Sequence, residues 1–187
     1  MAEDFVVWDS LAGSKYIAVK GLLDVPDVFE IKRGVSRASG FPPAAHFAPD
    51  PRSAKSAALP DSLVNLEGMI LVSARLKEVL APLPLVEILP VQIDGHPDAP
   101  YFIVSPLQLV DCIDQEASEV DWNAIDPTLI SGLAQLVLKE DAIPDDAMLF
   151  RPKHLPHKHL LRRSVAEDLV ARGFTGVKFW AVDEFEL

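Results

Sequence analysis

The chain is short of cysteine, of positive charge and of long apolar runs, and each shortage excludes something. One cysteine in 187 residues, Cys112, leaves no partner for an internal disulfide and suits a reducing compartment. Lys and Arg number 17 against 28 Asp and Glu, a net charge of -11. Such a surface repels nucleic acid and anionic membranes and meets basic partners quickly. No apolar run approaches the roughly 20 residues needed to span a bilayer. The opening Met1-Ala2-Glu3-Asp4 is acidic and lacks the basic start of a secretion signal. Together these features predict a cytoplasmic protein. G-x-S-x-G, G-x-G-x-x-G and G-x-x-x-x-G-K-[ST] do not occur, so nucleophile-elbow, dinucleotide and P-loop chemistry have no support. No cofactor is expected.

Apolar residues are plentiful at 49%, enough for a substantial core. Phe5 to Trp8 reads as a strand, and Tyr16–Val19 and Val28–Ile31 read as two more, punctuated by Gly13, Gly21, Pro26 and Gly34. Residues 40–60 hold five of the sixteen prolines and show no periodicity, which predicts a long ordered loop around the domain. Gly68–Val72 is a strand, and Ser73 caps a helix carrying Leu76, Val79 and Leu80 until Pro82 and Pro84 stop it.

Val86, Ile88, Val91 and Ile93 alternate with one slip at Leu89-Pro90, which predicts a strand with a bulge or an unpaired edge. A Gly95-His96-Pro97-Asp98 turn then leads into Tyr101–Val104, a strand covered on both faces. Residues 106–121 leave a helical turn or a last strand open. Ala134–Leu138 and Met148–Phe150 are strands around a Pro144-Asp145-Asp146 turn.

His159–Arg162 is a strand, and Ser164 caps a helix with Val165, Leu169 and Val170 on one face. Glu167 and Asp168 occupy its first turn, Arg172 its last, and Gly173 ends it. Gly176–Val182 closes the chain. The expected class is α+β: a largely antiparallel mixed sheet, a few short helices, and two strand–Ser–helix–strand units. Residues 1–60, N-terminal strands and a Pro-rich loop, are expected to pack on a main α+β domain of residues 61–187.

Between residues 106 and 150 stand ten acidic residues and one basic one, Lys139. Asp114, Glu116, Glu119 and Asp121 run up to Trp122, and these five are the candidate partner-binding residues, charge ringing one large aromatic. Acidity that only keeps the chain soluble is the plainer account. Residues 151–163, RPKHLPHKHLLRR, follow with three histidines and five cations. His154, His157 and His159 have a spacing that could ligate a metal, but a strand puts His154 on the opposite face from the other two and Pro156 interrupts. No metal site is expected. A basic flank that pairs with the acidic segment is the expected role. Cys112, between Asp111 and Ile113 in an apolar stretch, reads as a small buried thiol before a nucleophile partnered by His96 or His46. Asp111 and Asp114 form only a weak candidate acid–base pair. No catalytic residue is assigned.

From LVSARLKEVL (71–80), VEILPVQI followed by YFIV, IDQEAS (113–118), LFRP (149–152) and S-x8-G-F-T-G-V-K-F (164–179), residues 61 to 182 resemble the myxobacterial-type immunity proteins of bacterial polymorphic toxin systems. The resemblance implies a non-enzymatic protein that binds and neutralises a cognate toxin with a basic surface, a nuclease being one candidate. It supplies no catalytic residues, and residues 1–60 contribute nothing to it. No nucleic-acid or membrane partner is expected, and a homodimer is left open. Two other classes remain: a small hydrolase or metal-dependent enzyme using Cys112 or the histidines, and a homo-oligomeric structural module.

Overall fold

The structure, a computed structural model, describes residues 4–13, 15–53 and 57–187. The residues Met1 to Glu3 of the acidic start, and residues 54–56 of the Pro-rich stretch, lie outside the described residues.

Among the described residues, twelve strands and three α-helices appear in the order β1 (Phe5–Ser10), β2 (Val19–Leu23), α1 (Val28–Lys32), β3 (His46–Pro49), β4 (Ile70–Ser73), α2 (Ala74–Leu80), β5 (Val86–Ile93), β6 (Tyr101–Pro106), β7 (Leu109–Val110), β8 (Val120–Trp122), β9 (Ile130–Leu133), β10 (Leu149–Pro152), β11 (Leu160–Arg162), α3 (Arg163–Ala171) and β12 (Val177–Ala181). They form one five-stranded sheet, β12-β1-β11-β10-β7, a second, β2-β3-β5-β6-β4, and the β8-β9 hairpin. Most pairs are antiparallel; β3–β5 and β7–β10 are parallel. The class is α+β.

The apolar runs FVVW, ILVS and YFIV are continuous because their strands are covered on both faces. In β1, Val6 and Trp8 face a middle core while Phe5 and Val7 face an outer one. Leu161 and Leu160 of β11, and Leu149 and Phe150 of β10, divide the same way. In the second sheet Ile70, Val72 and Val104 join the middle core, and Leu71 and Ile103 a second outer core with Phe47 and Ile31. The middle core is sealed by Leu76 and Leu80 of α2 and Leu169 of α3, all fully buried. Burying each contributes about 1.5–3 kcal/mol. The first outer core holds Cys112, Ile130, Leu133 and Leu136, so the acidic segment lies over it.

Several local expectations change. β5 has no bulge: its register with β6 runs unbroken from Val86↔Pro106 to Val91↔Tyr101. The apparent slip comes from two cores, with Val86 and Ile88 packed on one and Leu89, Val91 and Ile93 in the other. Gln92 and Asp94 donate to Ala45 and Phe47 of the β3 side, so by alternation Pro90 lacks its N–H on that edge, before β3 begins pairing at Gln92. Val28–Ile31 is helix, not strand, entered through Asp27 at φ 54. The Pro-rich stretch is not all loop, since β3 pairs with both β2 and β5. Tyr16 makes only an isolated bridge to Ala58, and the strand starts at Val19. The strand expected at Ala134–Leu138 sits earlier, at Ile130–Leu133, leaving Leu138 a lone bridge to Ile113.

The two serines part company. Ser73 caps α2, its hydroxyl accepting the Leu76 N–H at 3.3 Å, a contact worth about 1 kcal/mol. Ser164 lies inside α3, whose N-cap is Arg162 with no side-chain cap bond. The buried face of α3 is Ala166 and Leu169, while Val170 is 61% exposed. Neither Glu167 nor Asp168 is in the first turn and Arg172 is the C-cap, where it pairs with Asp168 at 2.8 Å. Gly173, at φ 68, donates to Val170 and the Phe174 N–H reaches Leu169, a Schellman ending.

Candidate partner-binding face

The acidic segment leaves β7 at Asp111 and is held to the body by backbone bonds. Lys139 N–H donates to Cys112 O at 2.7 Å and Asp114 N–H to Val137 O at 2.9 Å. The buried Ser118 hydroxyl donates to Val137 O and accepts its N–H, closing the turn from inside. Asp114 is half-buried, and its carboxylate accepts the Ala117 N–H at 3.1 Å. Glu116 is exposed at the outside of the turn. Glu119 sits at φ 50, a left-handed conformation uncommon for a non-glycine residue. It and Asp121 line a shallow depression with Gln115, Ala134 and Leu187.

β8 then pairs with β9 with a register shift between Asp121 and Trp122, and both side chains are exposed. The Trp122 ring stands edge-on to His154, centroids 5.3 Å apart. Beyond it the Asn123 carboxamide oxygen accepts the Ile125 and Asp126 N–H groups, and Asp126 accepts from Thr128. This fixed turn presents Ile125, 96% exposed. The sequence reading passed over Ile125; the signal available was an isoleucine set among the turn residues Asn123, Asp126 and Pro127. Among the described residues, Glu116, Glu119 and Asp121 have no Lys or Arg within ion-pair distance. Of the five candidate residues, the fold groups Glu119 and Asp121 at the depression, leaves Glu116 on the turn and Trp122 on the His154 side, and folds Asp114 into the turn itself.

The basic stretch forms ion pairs with the acidic one at Asp111. Asp111 takes Lys153 at 3.0 Å and His154 Nε2 at 3.4 Å, and the Lys153 hydrogen bond holds its carboxyl below the usual range. The other cations go elsewhere. Arg151 is 2% exposed and donates to the carbonyls of Pro106, Pro156 and Lys32 and to the Ser105 hydroxyl. Burial pulls its guanidinium down to about 10. Arg162 lies over the Phe5 ring and donates to Ala147 and Asp145 carbonyls.

The histidines are not a cluster. His154 is under Trp122, its Nδ1 beside Thr128 O at 2.9 Å, while His159 is buried and held well below its usual pKa, first by burial and then by Arg151, His157 and Lys158. Among the described residues, no three His, Cys, Asp or Glu side chains are placed to hold a metal ion. Cys112 is fully buried, and burial pushes its thiol up to about 12, far from the reactive thiolate range. Among the described residues no helix is long and apolar enough to cross a membrane.

No curated protein matches the chain significantly. A family model does, over residues 12–184, so the match takes in residues 12–60, where the sequence itself had offered no resemblance. The chain therefore belongs to the immunity protein family Imm11.

Proposed function

We propose that this chain neutralises a cognate toxin of a bacterial polymorphic toxin system by binding it and covering its active site or a neighbouring surface, with no bond made or broken. The observation that carries the reading is the exposure of Glu116, Glu119, Asp121, Trp122 and Ile125 along one outer segment, with no cation on the three carboxylates among the described residues. Carboxylates left without partners speed the approach of a basic protein, and an exposed aromatic and an exposed aliphatic three residues apart in the chain give it apolar anchors. A nuclease, whose substrate groove must be basic, is the toxin class that such charge fits. Asp114 holds the turn beneath the face. The protein acts in the cytoplasm of the cell that makes both partners, and the buried Cys112 and dispersed histidines give an enzymatic reading no support.

The test is binding to the toxin encoded beside this gene, in buffers of rising salt. The combined reversals Glu116→Lys, Glu119→Lys and Asp121→Lys should weaken binding at least about 100-fold and flatten the salt dependence. Unchanged affinity would sink the acidic face as the contact.

A further inference from the structure

A sheet edge can take up another strand, because its outward N–H and C=O groups lack partners. The edge strands of the two five-stranded sheets are β12, β7, β2 and β4. β4 receives residues 61–63 on its far side, through Leu63 N–H to Leu71 O and Ser73 N–H to Asp61 O, both at 2.8 Å. β2 receives residues 64–66, through Val19 N–H to Val64 O at 2.9 Å and Leu66 N–H to Lys20 O at 3.4 Å. β7 has only two residues. β12 has five, and its register with β1 runs without a bulge from Val6↔Ala181 to Ser10↔Val177. The Leu11 N–H donates to Gly176 O, so by alternation Lys178 and Trp180 bond to β1, and Val177, Phe179 and Ala181 turn their N–H and C=O groups outward. No other backbone group among the described residues bonds to those outward groups.

The side chains of the edge define what fits it. Phe179 stands on the middle-core side, where it and Val6 line an apolar groove of about 320 Å³ with Ala166, Val170 and Ala171 of α3. The charged residues of that groove, Arg163 and Glu167, cancel. Lys178 and Trp180 stand on the other side, the ammonium 3.6 Å from the ring centre, so the lysine lies along the sheet instead of guarding the edge. Trp180 also lines a depression with the carboxylates of Asp9, Glu184 and Glu186. Laid antiparallel on itself about Phe179, the strand is self-complementary. Phe179 then faces the partner's Phe179, Val177 faces the partner's Ala181, and no like charges stand opposite. The partner's Lys178 faces Trp180 and its acidic depression, an opposite-sign contact that the two-fold axis makes twice. We infer that β12 pairs antiparallel with β12 of a second copy of this chain, joining two five-stranded sheets into one and covering the groove and Val170 of each. The pairing does not rest on the toxin-binding reading, and its test uses no toxin.

Sedimentation equilibrium of the full chain, loaded from about 1 to 300 μM to span weak association, reads the oligomeric state. The expected result is a monomer–dimer equilibrium that stops at two copies, since the pairing uses up the edge of both. Ala181→Pro removes one outward N–H at a position whose φ of -60 already suits proline, so the monomer keeps its fold. It should weaken the dimer at least tenfold. Val170→Lys, at an exposed position of α3, should weaken it through the groove with the thermal midpoint of the monomer unchanged. A chain that stays monomeric to about 300 μM, assembly beyond two copies, or a dimer that the two variants leave as strong as before overturns the pairing.

Discussion

Two neighbouring stretches carry dense charge of opposite sign, and the fold treats them in opposite ways. Residues 151–163 turn inward: Arg151 and His159 are buried, Arg162 lies on an aromatic ring, and the donors of the two arginines meet backbone carbonyls. Residues 111–126 face outward, with Glu116, Glu119 and Asp121 lacking cations among the described residues. Asp111 pairs across to Lys153, and Trp122 stands edge-on to His154. Charge density in a sequence therefore says little about availability. Long guanidinium side chains can satisfy several carbonyls at once and be absorbed by the core, whereas short carboxylates on a turn find backbone N–H groups only where the chain curls, as Asp114 does.

The largest effect should come from breaking the inward half. Arg151→Met leaves the Pro106, Pro156 and Lys32 carbonyls without their donor, and should cost about 3–5 kcal/mol of stability. Urea unfolding reads this as a lower midpoint, and the fraction still folded should bind toxin with unchanged affinity. The outward half should respond the other way. Trp122→Ala should cost about 2 kcal/mol of binding, roughly a 30-fold loss, with little change in the midpoint.

A pH experiment sharpens the contrast. His159 is held well below its usual pKa in the folded chain, so unfolding takes up a proton once pH drops below about 6.5. His157, pulled down to about 4 by burial, adds a second proton, so stability should fall with acidification at up to about 1.4 kcal/mol per pH unit from each histidine, and His159→Leu should remove one of the two contributions. The smallest effect tests the ion-pair crossing at Asp111. Asp111→Asn removes an exposed pair with Lys153 and should change stability by less than about 1 kcal/mol, an effect erased by salt. A larger loss would mean that the two halves are coupled.

Much of this was legible along the chain. Continuous runs such as Phe5–Trp8 and Tyr101–Val104 announce strands between two cores, and Ser73 followed by Leu76 and Leu80 announces α2. Val28–Ile31 misled because β-branched and aromatic residues favour strands, while packing of Ile31 on the second outer core decided for one helical turn. β3 was hidden among prolines because its strand status comes from partners 46 residues on, in β5. At the candidate face, the acids and Trp122 could be read directly. Ile125 had only the turn residues around it as a signal, since its exposure depends on the Asn123 turn that holds it outward.

The sequence by itself determined the α+β class, the buried and unreactive setting of Cys112, and the acidic run that ends in an aromatic, because periodicity and composition are local properties. Only tertiary structure decided which charges stay available and that Trp8 and His159, 151 positions apart, meet with two unpaired nitrogens. Hydrogen bonding and burial are settled by neighbours distant in the chain, and no local pattern records who those neighbours are.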